Sequence, residues 1–481
     1  MTSLRSKTIT ALKWAAFARA AQQLMQFVVA LILMRILTPQ DFGLVAMVTV
    51  ITGFVNIFGE LGLTAVIVQR QDITDGQKSS VFWATIALGV VLASLTSLCA
   101  PIISWFYQKP VLFWMTIIVS SNFIISSFSL VQQALLRKEM AFKALTMRDI
   151  ISQVCGGITG VVMAILGAGA WALVAQSLVV GLFGAVLIWK YSNWRPRLHF
   201  QFTDLRGMIP AGGRITGFNC VNYFGRNADS ILIGKFLGAA QLGFYGFAYR
   251  IMMLPLQNVS GVISTVFFPA FSKIQKNTQK VAVVYLRLVR AIAMLSYPLM
   301  AFVLVMAPEI VSIFFGDKWG AAVVPLRVLS VCGAIQSVLT TTGTVLLSQD
   351  QSRLYLELGV KGNIVIVAAI IFGLSYGING VALSYTFIHI GWWAYAQIRT
   401  NQVVGIGHVV FLKNLIQPAI GSALLLVLLF WCKTIFPISS VMGFAVVAVF
   451  AVLASVGYLI LTKEMVLVEN TIKFKVLAEV T

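Results

Sequence analysis

The chain has 481 residues, 59% of them hydrophobic and only 10% charged, with a mean hydropathy of +0.92. Such a composition excludes a soluble globular domain and a disordered chain, and leaves an all-α integral membrane protein. A formal net charge of +20 would suggest nucleic acid in a soluble protein; here the placement of the charges along the chain accounts for it, and no nucleic-acid partner is expected.

Apolar runs of about 20 residues, each able to cross about 30 Å of hydrocarbon as a helix, recur throughout. About fourteen are expected, centred near residues 24, 53, 92, 122, 158, 180, 221, 255, 298, 335, 368, 389, 421 and 450. The first follows Arg5, Lys7 and Lys13 without a small-residue cleavage site, so it reads as a retained helix and not a signal peptide. Within it Arg19, Gln22, Gln23 and Gln26 fall on one helical face. The turn Thr38-Pro39-Gln40-Asp41 suits a short outer loop, and the next run carries Asn56 and Glu60. Further on, Gly156 with Gly160 and Gly373 with Gly377 have the spacing that lets membrane helices pack closely.

Lys and Arg gather in every second loop. They include Arg137, Lys138, Lys143 and Arg148 in one, Lys190, Arg195, Arg197 and Arg206 in another, and Lys273, Lys276, Lys280, Arg287 and Arg290 in a third. The alternate loops carry at most one each, such as Lys109, Lys318 or Lys433. This is the positive-inside pattern, and it predicts both termini on the cytoplasmic side.

The grammar of the first turn returns 200 positions later: Arg35 matches Lys235, Leu37 matches Leu237, Phe42 matches Leu242 and Gly43 matches Gly243. The polar face of the first helix has its counterpart in Asn219, Asn222, Tyr223 and Arg226. A second match pairs Gly169-Ala170-Trp171-Ala172-Leu173 with Asn379-Gly380-Val381-Ala382-Leu383. Six helices per copy return the chain to the same side, so the copies are parallel repeats. The expected organisation is a first lobe over 1–190, a cytoplasmic linker over 191–207, a second lobe over 208–400, and a final helix pair with a cytoplasmic tail over 401–481. Lipid cannot solvate the polar faces, so they are read as lining a central cavity between the halves.

Arg19, Arg214, Arg226, Arg250 and Arg327 fall within spans, against the acids Glu60 and Asp229. Arg327 follows Pro325 near an outer end and reads as interfacial. For the rest two readings stand: ion pairing, Arg226 with Asp229 and Arg19 with Glu60, or binding of cargo. Four arginines against two acids leave surplus positive charge, which suits an anionic cargo because guanidinium forks match phosphate and carboxylate. Expected cavity residues are Arg19, Gln22, Gln26, Arg214, Asn222, Arg226 and Arg250. His199, His389 and His408 lack metal-ligand spacing or a nearby nucleophile, the five cysteines lack CxxC spacing, and no phosphate-cradling glycine loop occurs. A transporter, with no catalytic residue, metal or cofactor, is expected.

The stretch Asp229-Ser230-Ile231-Leu232-Ile233-Gly234-Lys235-Phe236-Leu237-Gly238, continuing through Leu242-Gly243-Phe244-Tyr245 to Ala248, resembles the second-lobe motif of Wzx-type polysaccharide flippases. The Arg35-to-Gly43 turn resembles their first-lobe equivalent. These proteins belong to the multidrug/oligosaccharidyl-lipid/polysaccharide exporter superfamily, and the branch resembled is the colanic acid or lipopolysaccharide exporter type. The resemblance implies a V-shaped pair of lobes that alternates between inward-open and outward-open states in a bacterial inner membrane. It implies a cargo of undecaprenyl-diphosphate-linked oligosaccharide repeat units, handed on to polysaccharide polymerase or chain-length machinery. Glu60 and Asp229 are the candidates for coupling to a proton or sodium gradient. A drug/cation antiporter of the same superfamily and a lipid II flippase are the alternatives; a polysaccharide polymerase or ligase would need a larger outer loop than Pro308 to Gly320.

Overall fold

The computed structural model describes residues 22–60, 67, 73–203, 209–435, 438, 440–462 and 464, with backbone alone at 60, 209–219, 221, 222, 255, 258–266 and 269. Every regular element among them is helical. The helices are α1 (Gln22–Ile36), α2 (Pro39–Glu60), α3 (Asp75–Leu98), α4 (Ala100–Tyr107), α5 (Val111–Lys138), α6 (Phe142–Ile165) and α7 (Ala170–Tyr191). After the linker come α8 (Ile209–Phe236), α9 (Ala239–Ile274), α10 (Thr278–Glu309), α11 (Val323–Ser348), α12 (Ser352–Leu374), α13 (Gly377–Val404), α14 (His408–Ile435) and α15 (Val441–Leu461).

Helices stand at all fourteen predicted positions, with α4 a short continuation of α3. Ten spans among the described residues are long and apolar enough to cross a membrane, and α1, α8, α9 and α13 do not meet that description. For α13, which is described throughout, the reason is Asn379, Tyr385, His389, Gln397 and Asn401 within the helix. A lipid-embedded chain must satisfy its backbone internally, and continuous helices do so.

Two compact units divide the chain, the first through Gly243 and the second from Phe244. The first unit therefore takes in α8 and the opening turn of α9, although in sequence both belong to the second repeat. Within the first unit α3 packs on α5, α5 on α7, and α6 on α7; within the second, α10 packs on α11, α11 on α13, and α12 on α13. The same pairing scheme in both units is what a duplicated six-helix repeat produces.

Small residues set the closest approaches. A Cβ on Gly156 would lie 2.9 Å from the Gln176 carbonyl oxygen, and one on Gly160 would lie 3.1 Å from Gln176 Cβ, so both glycines seat α6 on α7. Gly373 likewise lies 2.7 Å from the Gly380 carbonyl oxygen by the same measure, joining α12 to α13. Gly377 departs from the expected packing role: its φ is +69° and nothing stands near it, so it is the residue that allows the turn.

Local chemistry fixes the helix starts. Thr38 caps α2, with its hydroxyl accepting from the Asp41 amide at 3.3 Å and Asp41 Oδ2 accepting from the Thr38 amide at 2.9 Å. This is a reciprocal capping box with Pro39 at the first helical position. Thr74 and Gln77 form a second box at the start of α3. Thr38→Ala is expected to cost about 1 kcal/mol of stability, read as a lowered melting temperature in detergent; an unchanged melting curve would remove the cap from the account.

The linker is tied to the first unit. Ser79 and Ser80, at the start of α3, accept from the amides of Arg197 and Gln201 at 3.1 Å each, and the Trp83 indole donates to the Arg197 carbonyl at 2.9 Å. Phe82 sits within an aromatic cluster of Trp83, Trp189 and Trp194. In the second unit a core of Phe271, Tyr285, Val289, Val338 and Phe411 fills the space among α9, α10, α11 and α14. The final pair is fastened to α10 by two ion pairs, Lys433 with Glu309 at 2.7 Å and Arg290 with Glu464.

Candidate substrate site

The expected cavity residues fall on α1, α2, α8 and α9. Arg19 lies outside the described residues, and Arg214, Asn222 and Glu60 are placed on their helices with no side chain described. On α1, Gln22 is half-buried and Gln26 exposed.

Helix α8 brings two of the expected residues one turn apart with opposite burial. Arg226 is exposed. Asp229 is buried, and its Oδ1 accepts from the Ser230 amide at 2.6 Å and the Ser230 hydroxyl at 3.3 Å. Tyr223 was expected on the same polar face, yet its hydroxyl donates to the Val50 carbonyl at 2.7 Å, over Gly53 of α2. Phe54 then packs on Phe224 with ring centroids 4.7 Å apart. The aromatic side of α8 is thus locked to α2. At its far end, Lys235 donates to the Phe106 carbonyl and lies 4.7 Å from the Phe106 ring centroid.

The two repeat-opening turns meet in this unit as well. A Cβ on Gly43 would fall on the carbonyl oxygen of Ala239, and a Cβ on Gly243 would fall on the carbonyl oxygen of Pro39. The two partners, Pro39 and Ala239, are themselves 200 positions apart, so the starts of α2 and α9 are related by a local twofold.

Inside the first unit a cavity of about 190 Å³ opens among α2, α3, α5, α6 and α7. Asn56 and Ser126 are exposed at its mouth, and Thr85, Phe123, Ser127 and Ser129 are buried at its floor. Arg148 and Gln133 close one side. Of these Asn56 and Arg148 stood out in the sequence, and Arg148, expected in an inner loop, stands instead on α6. Scattered serines in an apolar helix such as α5 read as small packing residues, and no spacing rule groups them with Thr85 and Arg148.

In the second unit Arg250 is exposed on α9. Beside it in sequence, Tyr249 packs on Tyr385, which packs on His389 with ring centroids 4.3 Å apart. The Gln336 amide nitrogen lies 3.1 Å from the Tyr385 hydroxyl and 3.3 Å from His389. His389 is therefore a packed interior histidine. A second network runs from buried Tyr285 through Gln397 and Asn401 to the exposed His408, with Gln397 donating to Asn401 at 2.8 Å. Among the described residues no group of three or more His, Cys, Asp or Glu is placed to hold a metal.

With this architecture in place, comparison with known proteins decides the family. The model of a family described as "Polysaccharide biosynthesis protein" matches residues 32–324, more than half the chain. The chain belongs to that family. Relatives within reach of it include the lipopolysaccharide biosynthesis protein WzxC of Escherichia coli strain K12, 27% identical over 395 residues that cover 81% of this chain and 80% of WzxC. The teichuronic acid biosynthesis protein TuaB of Bacillus subtilis strain 168 is 28% identical over 365 residues, 75% of each chain. The succinoglycan biosynthesis transport protein ExoT of Rhizobium meliloti strain 1021 is 25% identical over 343 residues, 71% of this chain and 69% of ExoT.

Among solved structures the fold resembles lipid II flippase MurJ in an inward closed conformation, with a TM-score of 0.74 at 13% identity over 95% of this chain and 100% of that one. It also resembles an inward-facing multidrug resistance MATE family transporter of the MOP superfamily, with a TM-score of 0.64 at 16% identity over 79% of this chain and 95% of that one. At these identities the likeness establishes the fold alone, and the chain shares it with both of these proteins. This family member is a multi-pass membrane protein, and α11 beyond its first two residues, together with α12 to α15, lies past the region its family model matches.

Proposed function

We propose that this chain is a flippase that carries undecaprenyl-diphosphate-linked oligosaccharide repeat units from the cytoplasmic to the periplasmic leaflet by alternating access, for assembly of a surface polysaccharide. Family membership supports the polysaccharide setting, and the fold supports movement of a lipid-linked sugar. The geometric observation that carries the reading is the split on α8: Asp229 is buried with an oxygen engaged by Ser230, while Arg226 is exposed. An acid turned in and a guanidinium turned out present positive charge at membrane depth, where a diphosphate is the complementary cargo.

In this reading Arg19, Arg214, Arg226 and Arg250 contact the diphosphate or acidic sugars, with Gln22, Gln26 and Asn222 beside them. Glu60 and Asp229 couple transport to a proton or sodium gradient. Both termini lie in the cytoplasm, fourteen helices span the inner membrane as two six-helix repeats with a final pair, and the product passes to polymerase or chain-length machinery.

Deletion in the native host tests the function, with radiolabelled sugar and leaflet-resolved extraction of lipid-linked intermediates. Repeat units should accumulate facing the cytoplasm and surface polysaccharide should disappear. Units reaching the outer face normally, with altered sensitivity to cationic drugs alone, would replace this reading with the antiporter; a build-up of lipid II would replace it with the peptidoglycan precursor. Arg226→Gln and Arg250→Gln should each reduce export by about tenfold, the loss expected when a charge-assisted contact is removed. Export at the wild-type rate in both would end the role assigned to these arginines.

A further inference from the structure

Thr85 stands near the middle of α3, so the cavity within the first unit reaches mid-depth, where a polar space is least expected of a packed membrane helix bundle. Its volume of about 190 Å³ corresponds to about six waters at roughly 30 Å³ each. That is room for one sugar ring.

The chemistry of the wall distinguishes possible occupants. The Thr85 hydroxyl donates to the Phe82 carbonyl at 2.8 Å, Ser126 to Phe123 at 3.1 Å, and Ser127 to Ile124 at 2.7 Å. Their protons are spent on their own helices, which leaves oxygen lone pairs towards the cavity. Arg148 is committed as well: its Nε donates to the Gly184 carbonyl at 3.2 Å, and a terminal nitrogen lies 3.4 Å from Asp149. With its amide oriented to suit both neighbours, Gln133 accepts from Arg148 at 3.1 Å and from Arg137 at 3.2 Å.

A phosphate brings only acceptors, and would meet acceptor oxygens and an arginine already paired with a carboxylate. A small cation would find those oxygens but face the Arg148 guanidinium across a space far larger than itself. A sugar brings hydroxyls that donate to Thr85, Ser126 and Ser127 and accept from Asn56. We propose that this cavity is a subsite for a single sugar ring of the lipid-linked cargo. The proposal rests on the flippase reading and adds where the sugar end is held, apart from the arginines assigned to the diphosphate.

The test uses the full chain in lipid nanodiscs and two probes: undecaprenyl diphosphate bearing the host's own repeat unit, and undecaprenyl diphosphate without sugar. Wild-type protein should bind the first more tightly. Ser126→Phe, which narrows the exposed mouth, should weaken binding of the sugared probe about tenfold, and Thr85→Val, which removes one acceptor at nearly constant shape, about threefold. Binding of the bare diphosphate should stay within about twofold in both, with unchanged melting temperature. Wild-type preference for the sugared probe that survives in both variants would overturn the subsite and leave the flippase reading standing. Loss of both probes in parallel would overturn it too, since the damage is then general. Wild-type protein that binds neither probe would end the flippase reading and the subsite together.

Discussion

Gly43→Val is expected to destabilise the protein by about 3 kcal/mol and to reduce export at least tenfold, the upper range for overpacking a closed interface. A side chain there would fall on the Ala239 carbonyl oxygen. That obstacle is backbone at the start of a helix and cannot rotate aside, so the starts of α2 and α9 must separate. Gly243→Val meets the Pro39 carbonyl oxygen in the same way. Because each substitution opens one shared contact, their costs should not add: the double variant should melt close to the worse single one. Gly246→Ala, on the same helix with nothing within 4 Å of where its Cβ would lie, should be neutral or stabilising by up to about 1 kcal/mol. A Gly43→Val protein that melts and exports like wild type would show that the turns part without penalty.

The second large effect is expected at the ion pair that fastens α14 to α10. Lys433 Nζ lies 2.7 Å from Glu309 and 3.3 Å from the Val305 carbonyl, with side chains only 23% and 13% exposed. Removing one partner strands the other away from bulk water. Glu309→Ala should therefore cost about 3 kcal/mol, the low end for a buried pair because Lys433 keeps some access to solvent. Replacing both together, Glu309→Leu with Lys433→Met, should recover all but about 1 kcal/mol, since an apolar pair carries no desolvation penalty. Melting in detergent and the level of protein in membranes read both effects. A double variant no better than Glu309→Ala would show that the pair supplies net stability and not only mutual neutralisation.

The helix order was readable because hydrocarbon thickness imposes one length scale on every span. The repeat was readable because its turns need the same small residues at Gly43 and Gly243, and those glycines proved to touch the opposite copy. The division after Gly243 was not readable: sequence places α8 with the second repeat, whereas the Tyr223 hydroxyl and the Phe54–Phe224 pair hold it to α2. Tyr223 itself was misread for a related reason, since periodicity marks a polar face without saying whether a cavity or a neighbouring backbone carbonyl receives it. The charged candidates were visible because ionisable residues are rare at membrane depth. The cavity around Thr85 and Ser127 was invisible because serine and threonine in membrane helices satisfy themselves on their own carbonyls, and only the packing of α3, α5 and α7 leaves a gap between them.

The polar interior of α13 bears on how the chain is made. Tyr385 and His389 meet Gln336 of α11, and Gln397 meets Tyr285 of α10. Both partner helices leave the ribosome before α13 does. Apolar α12 also precedes it, joined through Ser375 and Tyr376 alone, a connection short enough for the two to insert as a hairpin after the receiving helices have been made. A circular permutation that placed α10 and α11 after α13 would send this polar helix to the translocon before there was anything to shelter it.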